Sequence, residues 1–464
     1  MGGGESSTGR TLRVGVLGCG NVGGAFVQLI DDDVAQIARR SGLLLEVTRV
    51  AVRDLEKERA PGLDRAALSK RLTTDARSVV EDPDVDVVVE LIGGVEPARE
   101  LVLAALKSGK PVVSGNKELI AAGGRELLEA AEQAGVDFLF EAAVGGAIPL
   151  VRLLRESLAG ERVVRLTGIV NGTTNYILTR MSEDGLGYEA ALESAKALGY
   201  AEADPSADVE GYDAAAKAAI LAGIAFSADV VASDVHREGI SSIGAGDVEL
   251  ARRLGYEVKL LAVCEAEPAC APGGDAGTSS PHARPAEAVP RVAVRVHPAM
   301  VPRDHPLASV RDSFNAVFVE GASAGELMVY GQGAGGLPTA SAVLGDVIDA
   351  AHHLRDGSRA RPAHRHACAL RPMSELRTQY YLSMEVADRP GVLAAVASVF
   401  GRNNVSIRSM EQVGLGAEAG LVFITHTALE ADVQATISEL GLLGAVERIR
   451  CLLRLIGPEP AAGP

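Results

Sequence analysis

The sequence predicts an α/β chain with three parts: a doubly wound parallel sheet at the N-terminus, an α+β middle region, and a ferredoxin-like module at the C-terminus. Three observations carry this. Up to about residue 150, short runs of Val, Leu and Ile alternate with amphipathic helical stretches, the pattern of parallel strands buried on both faces. The first such run, Thr11–Leu17, passes directly into Gly18-Cys-Gly-Asn-Val-Gly23 and a helix to about Arg40. The stretch 379–457 reads strand, helix, strand, strand, helix, strand.

With 464 residues there is room for two or three domains. Apolar residues make up 47% but aromatics only 3%, so the core must be aliphatic. The net charge of −16 argues against nucleic acid or an anionic membrane as partner, while leaving room for a local basic pocket. Five cysteines without a CxxC pair read as reduced thiols, and a cytoplasmic location is expected. No apolar run is long enough to span a bilayer.

Residues 1–10 read as a disordered Gly/Ser tail, and 11–150 as a Rossmann-type dinucleotide-binding domain. In Gly18-Cys-Gly-Asn-Val-Gly23 the glycines permit a tight turn and close approach of the backbone to a pyrophosphate, and the helix N-terminus supplies N–H donors. Gly18, Gly20, Asn21, Val22 and Gly23 are therefore cofactor candidates. The second strand, Leu43 to Val52, ends in Arg53-Asp54. Arg53 suits the extra phosphate of NADP and Asp54 the ribose of NAD, so the reading leans toward NADP with NAD open. Strands at Asp84–Ile92 and Pro111–Ser114 follow, with a helix from Pro97 to Lys107 between them. Ser114 and Lys117 fall at the carboxyl end of the second, where such sheets bind ligands. A helix around Glu118–Ala134 and a strand at Val136–Glu141 precede the glycine-rich turn Ala142–Pro149.

Residues 151–354 form a middle region, whose last helices are expected to pack back on the first domain. Its most distinctive run opens with Gly168-Ile-Val-Asn-Gly-Thr-Thr-Asn-Tyr-Ile-Leu178 and closes on Gly211-Tyr-Asp-Ala-Ala-Ala-Lys-Ala-Ala-Ile-Leu221. The closing piece predicts a helix that is small and apolar apart from Asp213 and Lys217, which share one face at a spacing of four. A surface ion pair is the bland reading. A buried pair would contribute little stability and is better explained by chemistry. Glu202, Asp204 and Asp208 lie on a Pro-broken loop ahead of it, either an ammonium-binding set or an ordinary solvated loop. Further helices are expected near 188–198 and 246–255, and strands at Arg291–Val296 and Ala316–Gly321. Met328–Gly336 reads as a glycine-rich return before a helix at Ser341–Leu354. Residues 265–289, rich in Pro, Ala and Gly, read as a flexible insertion. Residues 355–378 read as a linker; His352, His353, His364 and His366 lack the acids or cysteines a metal site would need.

In the tail, Asp388-Arg-Pro-Gly391 joins a strand (Gln379–Val386) to a helix (Val392–Arg402). This turn leaves backbone N–H groups accessible, and Asn403 and Asn404 bring side-chain amides, a corner that offers a zwitterion both donors and acceptors.

These residues resemble homoserine dehydrogenase over nearly the whole chain from about Thr11. Gly168–Leu178, Tyr200–Lys217, Tyr330–Ala342, Gly115–Ala121 and His305–Ala308 carry the resemblance, and the tail at 379–457 resembles an ACT regulatory domain. No aspartokinase-like segment precedes it, as in the monofunctional type. The resemblance implies NADP(H)-dependent interconversion of L-aspartate 4-semialdehyde and L-homoserine in threonine, methionine and isoleucine biosynthesis, feedback inhibition by L-threonine, and a homodimer or homotetramer. It implies Lys217 and Lys117 as catalytic residues, and Glu202, Asp208 and Asp213 as substrate ligands. It also implies a monovalent cation such as sodium held by Glu141 and the backbone of Val144, Gly146 and Ile148, and effector contacts at Asp388, Gly391 and Asn404. Two rivals stand beside it: a cysteine-dependent semialdehyde dehydrogenase, which needs an activated thiol, and a non-catalytic NADP-binding amino-acid sensor.

Overall fold

The first sheet is wholly parallel. Its strands are β1 (Thr11–Leu17), β2 (Leu44–Ala51), β3 (Leu72–Thr73), β4 (Val87–Glu90), β5 (Val112–Ser114) and β6 (Phe138–Leu139), in the order β3-β2-β1-β4-β5-β6. Strand order reverses between β1 and β4, which creates the crevice where doubly wound sheets bind ligands. The connecting helices are α1 (Asn21–Ser41), α2 (Arg65–Ser69), α3 (Ala76–Glu81), α4 (Ala98–Lys107) and α5 (Lys117–Ala134). The computed structural model describes residues 11–57, 59, 63–267, 291–361, 367–413 and 419–457. The N-terminal tail, nearly all of the Pro/Ala-rich stretch, and His364 and His366 lie outside the described residues.

The middle region contains the helices α6 (Leu150–Arg152), α7 (Gly172–Glu183), α8 (Tyr188–Ala197), α9 (Ser206–Val209), α10 (Tyr212–Ala225), α11 (Ala245–Arg253) and α12 (Gly336–Asp356). Its strands are β7 (Val163–Ile169), β8 (His236–Arg237), β9 (Tyr256–Ala266), β10 (Arg291–Pro302), β11 (Phe314–Gly321) and β12 (Gly325–Gln332), and β13 (Ala369–Leu370) pairs with β10. The tail adds β14 (Arg377–Val386), α13 (Val392–Arg402), β15 (Ile407–Val413), β16 (Gly420–Thr425), β17 (Ala428–Leu429), α14 (Glu430–Leu440) and β18 (Val446–Leu455). The four main tail strands lie in the order β18-β14-β16-β15, the ferredoxin-like arrangement.

The tail does not stand apart as a separate sheet. β18 pairs in parallel with β10, Ala299 against Arg454 and Met300 against Leu455. One twelve-stranded sheet, β12-β11-β7-β9-β10-β18-β14-β16-β15 with β8, β13 and β17 at its margins, therefore runs through both regions.

Compactness divides the chain into two units: the described residues within Met1–Gly160, Ala219–Ala232 and Val329–His366, and those within Glu161–Ala218, Ser233–Met328 and Ala367–Pro464. In the first, Val343, Val347 and Ala350 of α12 share a core with Phe26 and Ile30 of α1. In the second, one core forms around Ile169, Leu261 and Val301, and another around Tyr380, Val396 and Phe423 of the tail.

The sequence reading differs from the structure in three places. β9 was not anticipated, and it takes in Glu265 and Ala266 from the start of the expected insertion. Its run Tyr-Glu-Val-Lys-Leu-Leu-Ala-Val-Cys-Glu-Ala does not alternate, because most of it is buried on both faces. The expected return at Met328–Gly336 is largely β12. The strand expected at Val136–Glu141 shrinks to Phe138–Leu139, and Glu141–Ala143 makes a 3₁₀ turn instead.

Candidate active site

In the first unit, the turn after β1 is built so that only glycine fits. Gly18 has φ 98°, and a Cβ there would sit 2.5 Å from the carbonyl oxygen of Leu91. A Cβ on Gly23 would lie 2.1 Å from the carbonyl oxygen of Gly18. Gly20 caps α1 without any side-chain hydrogen bond, so the first-turn N–H groups are left for an anion. Arg53 and Asp54 follow β2 and are exposed. Arg59, which the sequence reading passed over, donates from Nη2 to the carbonyl of Asp54 at 2.6 Å. Its charge also pulls against the burial that pushes the Cys19 thiol up, which places a second basic group near the glycine turn.

The carboxyl ends of β4 and β5 are joined by another residue the reading missed. Glu90 is fully buried, and burial pushes its carboxyl up despite the hydrogen bonds it accepts. Ser114 Oγ donates to it at 2.7 Å, the Ile92 N–H at 2.8 Å and Asn116 Nδ2 at 3.3 Å. Asn116 caps α5 by accepting from the Leu119 N–H at 3.1 Å, which sets Lys117, half-buried, as the first residue of that helix.

Glu141 is buried, and burial pushes its carboxyl up. Its two oxygens accept from the Val151 and Arg152 N–H groups at 2.9 and 2.8 Å, capping α6. Its own N–H donates to Asp346 Oδ2 at 2.8 Å, and Arg152 Nη2 reaches Asp346 Oδ1 at 2.9 Å.

In the second unit, the structure brings together Asp208, Asp213 and Lys217. Lys217 is 8% exposed, and its Nζ donates to the Val170 carbonyl and to Asp213 Oδ2, each at 2.7 Å. The pair predicted from its spacing is therefore buried rather than superficial. Asn171 organises the cluster. Its Nδ2 donates to Asp208 Oδ1 at 2.7 Å and Asp213 Oδ2 at 2.8 Å, while its Oδ1 caps α7 by accepting from the Thr174 N–H at 2.8 Å. Burial pushes the Asp208 carboxyl up, against the hydrogen bond from Asn171. Asp204 serves its own turn, accepting from Ser206, and Glu202 is exposed beside it.

A family model described as "Homoserine dehydrogenase" matches residues 149–348, one described as "Homoserine dehydrogenase, NAD binding domain" matches 18–141, and one described as "ACT domain" matches 380–441. Over 448 residues the chain is 47% identical to the homoserine dehydrogenase of Corynebacterium glutamicum, covering 96% of each chain. The chain belongs to the homoserine dehydrogenase family. It is thus an NAD(P)-dependent oxidoreductase. The Mycobacterium tuberculosis homoserine dehydrogenase is also 47% identical, over 97% of this chain and 98% of that protein. Among solved structures, a homoserine dehydrogenase from Thiobacillus denitrificans matches with a TM-score of 0.85 at 38% identity, covering 96% of this chain and 98% of that one. A hyperthermophilic archaeal homoserine dehydrogenase in complex with NADPH matches with a TM-score of 0.58 at 27% identity, over 76% of this chain and 100% of that one.

Among the described residues, the three buried thiols give no support to cysteine chemistry. Cys19, Cys264 and Cys451 are buried, and burial pushes each thiol up, Cys264 to about 12. In the ACT domain, Asp388, Gly391 and Asn404 are all exposed, and Gly391 caps α13 at φ 90°. Asn403 is committed elsewhere: its Nδ2 donates to the Val399 carbonyl at 3.0 Å and to Glu439 Oε2 at 2.7 Å.

Proposed function

We propose that this enzyme reduces L-aspartate 4-semialdehyde to L-homoserine reversibly, with Lys217 as the proton donor. The observation that carries this is the fixed Lys217 ammonium. An ammonium has three N–H donors, and two are spent on Val170 and Asp213, leaving one for a substrate oxygen. When bound, the nicotinamide supplies the hydride. Lys217 gives its proton to the carbonyl oxygen and stabilises the charge that develops there, then regains a proton from solvent. Asp213 and Asn171 hold the lysine in place. Asp208 and Glu202 bind the substrate ammonium, and Lys117 assists beside the cofactor.

NADP is the preferred cofactor on this reading, with NAD still accepted. Gly18, Gly20, Asn21, Val22, Gly23 and Ser114 line its phosphates and ribose, and Arg53, seconded by Arg59, meets the extra phosphate. The NADPH bound by the archaeal relative supports this. A monovalent cation such as sodium suits the Glu141 turn. Among the described residues, the buried carbonyls of Val144 and Gly146 accept no hydrogen bond, and the Glu141 carboxylate, held by backbone N–H groups of α6, lies on the same turn. Such an ion would be held by Glu141 and the carbonyls of Val144, Gly146 and Ile148. The domains proposed are 11–150 for the cofactor, 151–354 for substrate and oligomerisation, and 379–457 for regulation by L-threonine, in a cytoplasmic homodimer or homotetramer of the threonine, methionine and isoleucine pathways.

The test is turnover of L-homoserine with NADP and with NAD, in wild type and in Arg53→Ala. Wild type should turn over with both, and Arg53→Ala should raise the KM for NADP far more than that for NAD. A lost phosphate contact costs roughly 1.5–3 kcal/mol. Equal effects on both cofactors would exclude Arg53 from phosphate recognition.

A further inference from the structure

A cavity of about 430 Å³ lies away from the Asp388 turn. It lies on the opposite side of the ACT sheet from α13 and α14, where the N-terminus of α11 meets β14 and β18. Tyr381 and Ser383 point to this face, whereas Tyr380, Leu382 and Met384 point into the domain's own core.

The floor of the cavity is Asp247, 8% exposed. Its Oδ1 accepts from Tyr381 Oη at 2.8 Å and Ser383 Oγ at 2.6 Å. Its Oδ2, among the described residues, accepts no hydrogen bond, although the side chain lines the cavity. Oδ2 is therefore open to a donor that enters the cavity, while the bonds to Oδ1 fix the carboxylate in place. Across the cavity stands Arg448, which pairs in register with Glu385 but has no acidic partner among the described residues, because Glu385 is held by Arg450 Nε at 2.6 Å. The lining carries three carboxylates (Asp247, Glu249, Glu385) and three guanidiniums (Arg253, Arg448, Arg450), so its charges cancel. Gly244 leaves the α11 N-terminus without a side-chain cap.

We propose that this cavity is an effector site for a small α-amino acid, whose ammonium donates to Asp247 Oδ2 and whose carboxylate meets Arg448. A neutral lining with separated free charges fits a zwitterion better than a simple anion or cation. Occupancy would be felt at the catalytic cluster by a short route: Arg252 of α11 donates to the Ser182 carbonyl of α7 at 3.2 Å, and α7 is capped by Asn171, which holds Asp208 and Asp213. The inference rests on the regulatory reading of the tail and moves its ligand away from Asp388, Gly391 and Asn404.

The test is calorimetric titration of L-threonine, with L-isoleucine and L-methionine as further probes, into the full-length wild type, Arg448→Ala, Asp247→Asn and the double variant Asp388→Ala/Asn404→Ala. For the probe that binds, Arg448→Ala and Asp247→Asn should each raise Kd at least tenfold, with homoserine turnover in the absence of effector unchanged for Arg448→Ala, while the double variant stays within twofold. Loss of binding in the double variant alone would overturn this site and leave regulation by the tail standing. Failure of all three amino acids to bind wild type would overturn both. Arg448 is exposed, so its variant tests the site without disturbing the buried hydrogen bonds of Asp247.

Discussion

Two buried ionic clusters in the second unit differ in one respect that separates support from chemistry. Arg454 of β18 is 3% exposed, and its guanidinium is clamped between two carboxylates. Nε and Nη2 donate to the two oxygens of Glu430 at 2.9 and 2.7 Å, and Nη1 donates to Glu238 Oε2 at 2.8 Å. The Glu430 oxygens are also taken, by Tyr380 Oη and Gln434 Nε2. Burial alone would raise the Glu238 carboxyl, yet the hydrogen bonds from His236 and Arg454 hold it well below the usual range. Lys217 is also buried, and among the described residues its Nζ donates only to Val170 and Asp213, which leaves one N–H. A cation whose every nitrogen is turned onto a protein carboxylate holds the fold together. One with a spare valence in a buried place can act on a ligand.

The comparison is tested most severely at Lys217. Replacing it with Met, which keeps the volume, should lower kcat by ~10²–10⁴-fold, the usual worth of general acid catalysis. Retention of more than a tenth of wild-type kcat in steady-state assays would remove Lys217 from the chemistry. Arg454→Met should do the reverse, leaving the buried Glu430 and the half-buried Glu238 without their partner. That should cost roughly 3–5 kcal/mol of stability in denaturant unfolding, with kcat of the folded enzyme within a few-fold of wild type.

A third buried group, Asp346, offers a test by pH. Burial pushes its carboxyl up to about 7, although the Glu141 N–H and Arg152 favour the charged form and nearby Glu141 and Asp349 oppose it. Because the folded pKa lies above the ordinary 3.8, the folded state holds a proton that the unfolded chain has released. The contribution of Asp346 to stability is therefore full below pH 4 and is lost as pH rises toward 7. Asp346→Asn should flatten this part of the stability profile, measured as denaturation midpoint against pH. An unchanged slope between pH 4 and 7 would show that Asp346 is ionised in the fold. The smallest effect belongs to Glu202, which is exposed. Glu202→Gln should raise the KM for homoserine by at most about fivefold, since exposed ion pairs contribute roughly 1 kcal/mol or less.

What could be read beforehand follows the range of the interactions. The glycine turn after β1 was legible because its motif is contiguous and the exclusion at Gly23 comes from the carbonyl of Gly18 within the same turn; the exclusion at Gly18, by the Leu91 carbonyl, leaves no such local trace. So was the Asp213/Lys217 pair, because spacing on one helix is local. Asn171 was within a quoted motif but had no assigned role, since its two acid partners lie 37 and 42 residues away. Glu90 and Asp346 left no local signal: their partners come from other strands and helices, in the case of Asp346 and Glu141 from 205 residues away. β9 was missed for a related reason. A strand covered on both faces loses alternation, and the buried Lys259 in its middle, held by the Val310 carbonyl at 2.5 Å, resembles a solvated lysine in sequence.

The pairing of β18 with β10 has a thermodynamic consequence. Strands of the ACT domain and of the middle region exchange main-chain hydrogen bonds, and Arg454 ties Glu430 of one to Glu238 of the other. Neither part can melt without stripping an edge from its neighbour. A scanning calorimeter should therefore see the two regions unfold as one transition, and cutting the chain before Gln379 should expose a sticky strand edge on β10 rather than release an unregulated but intact enzyme.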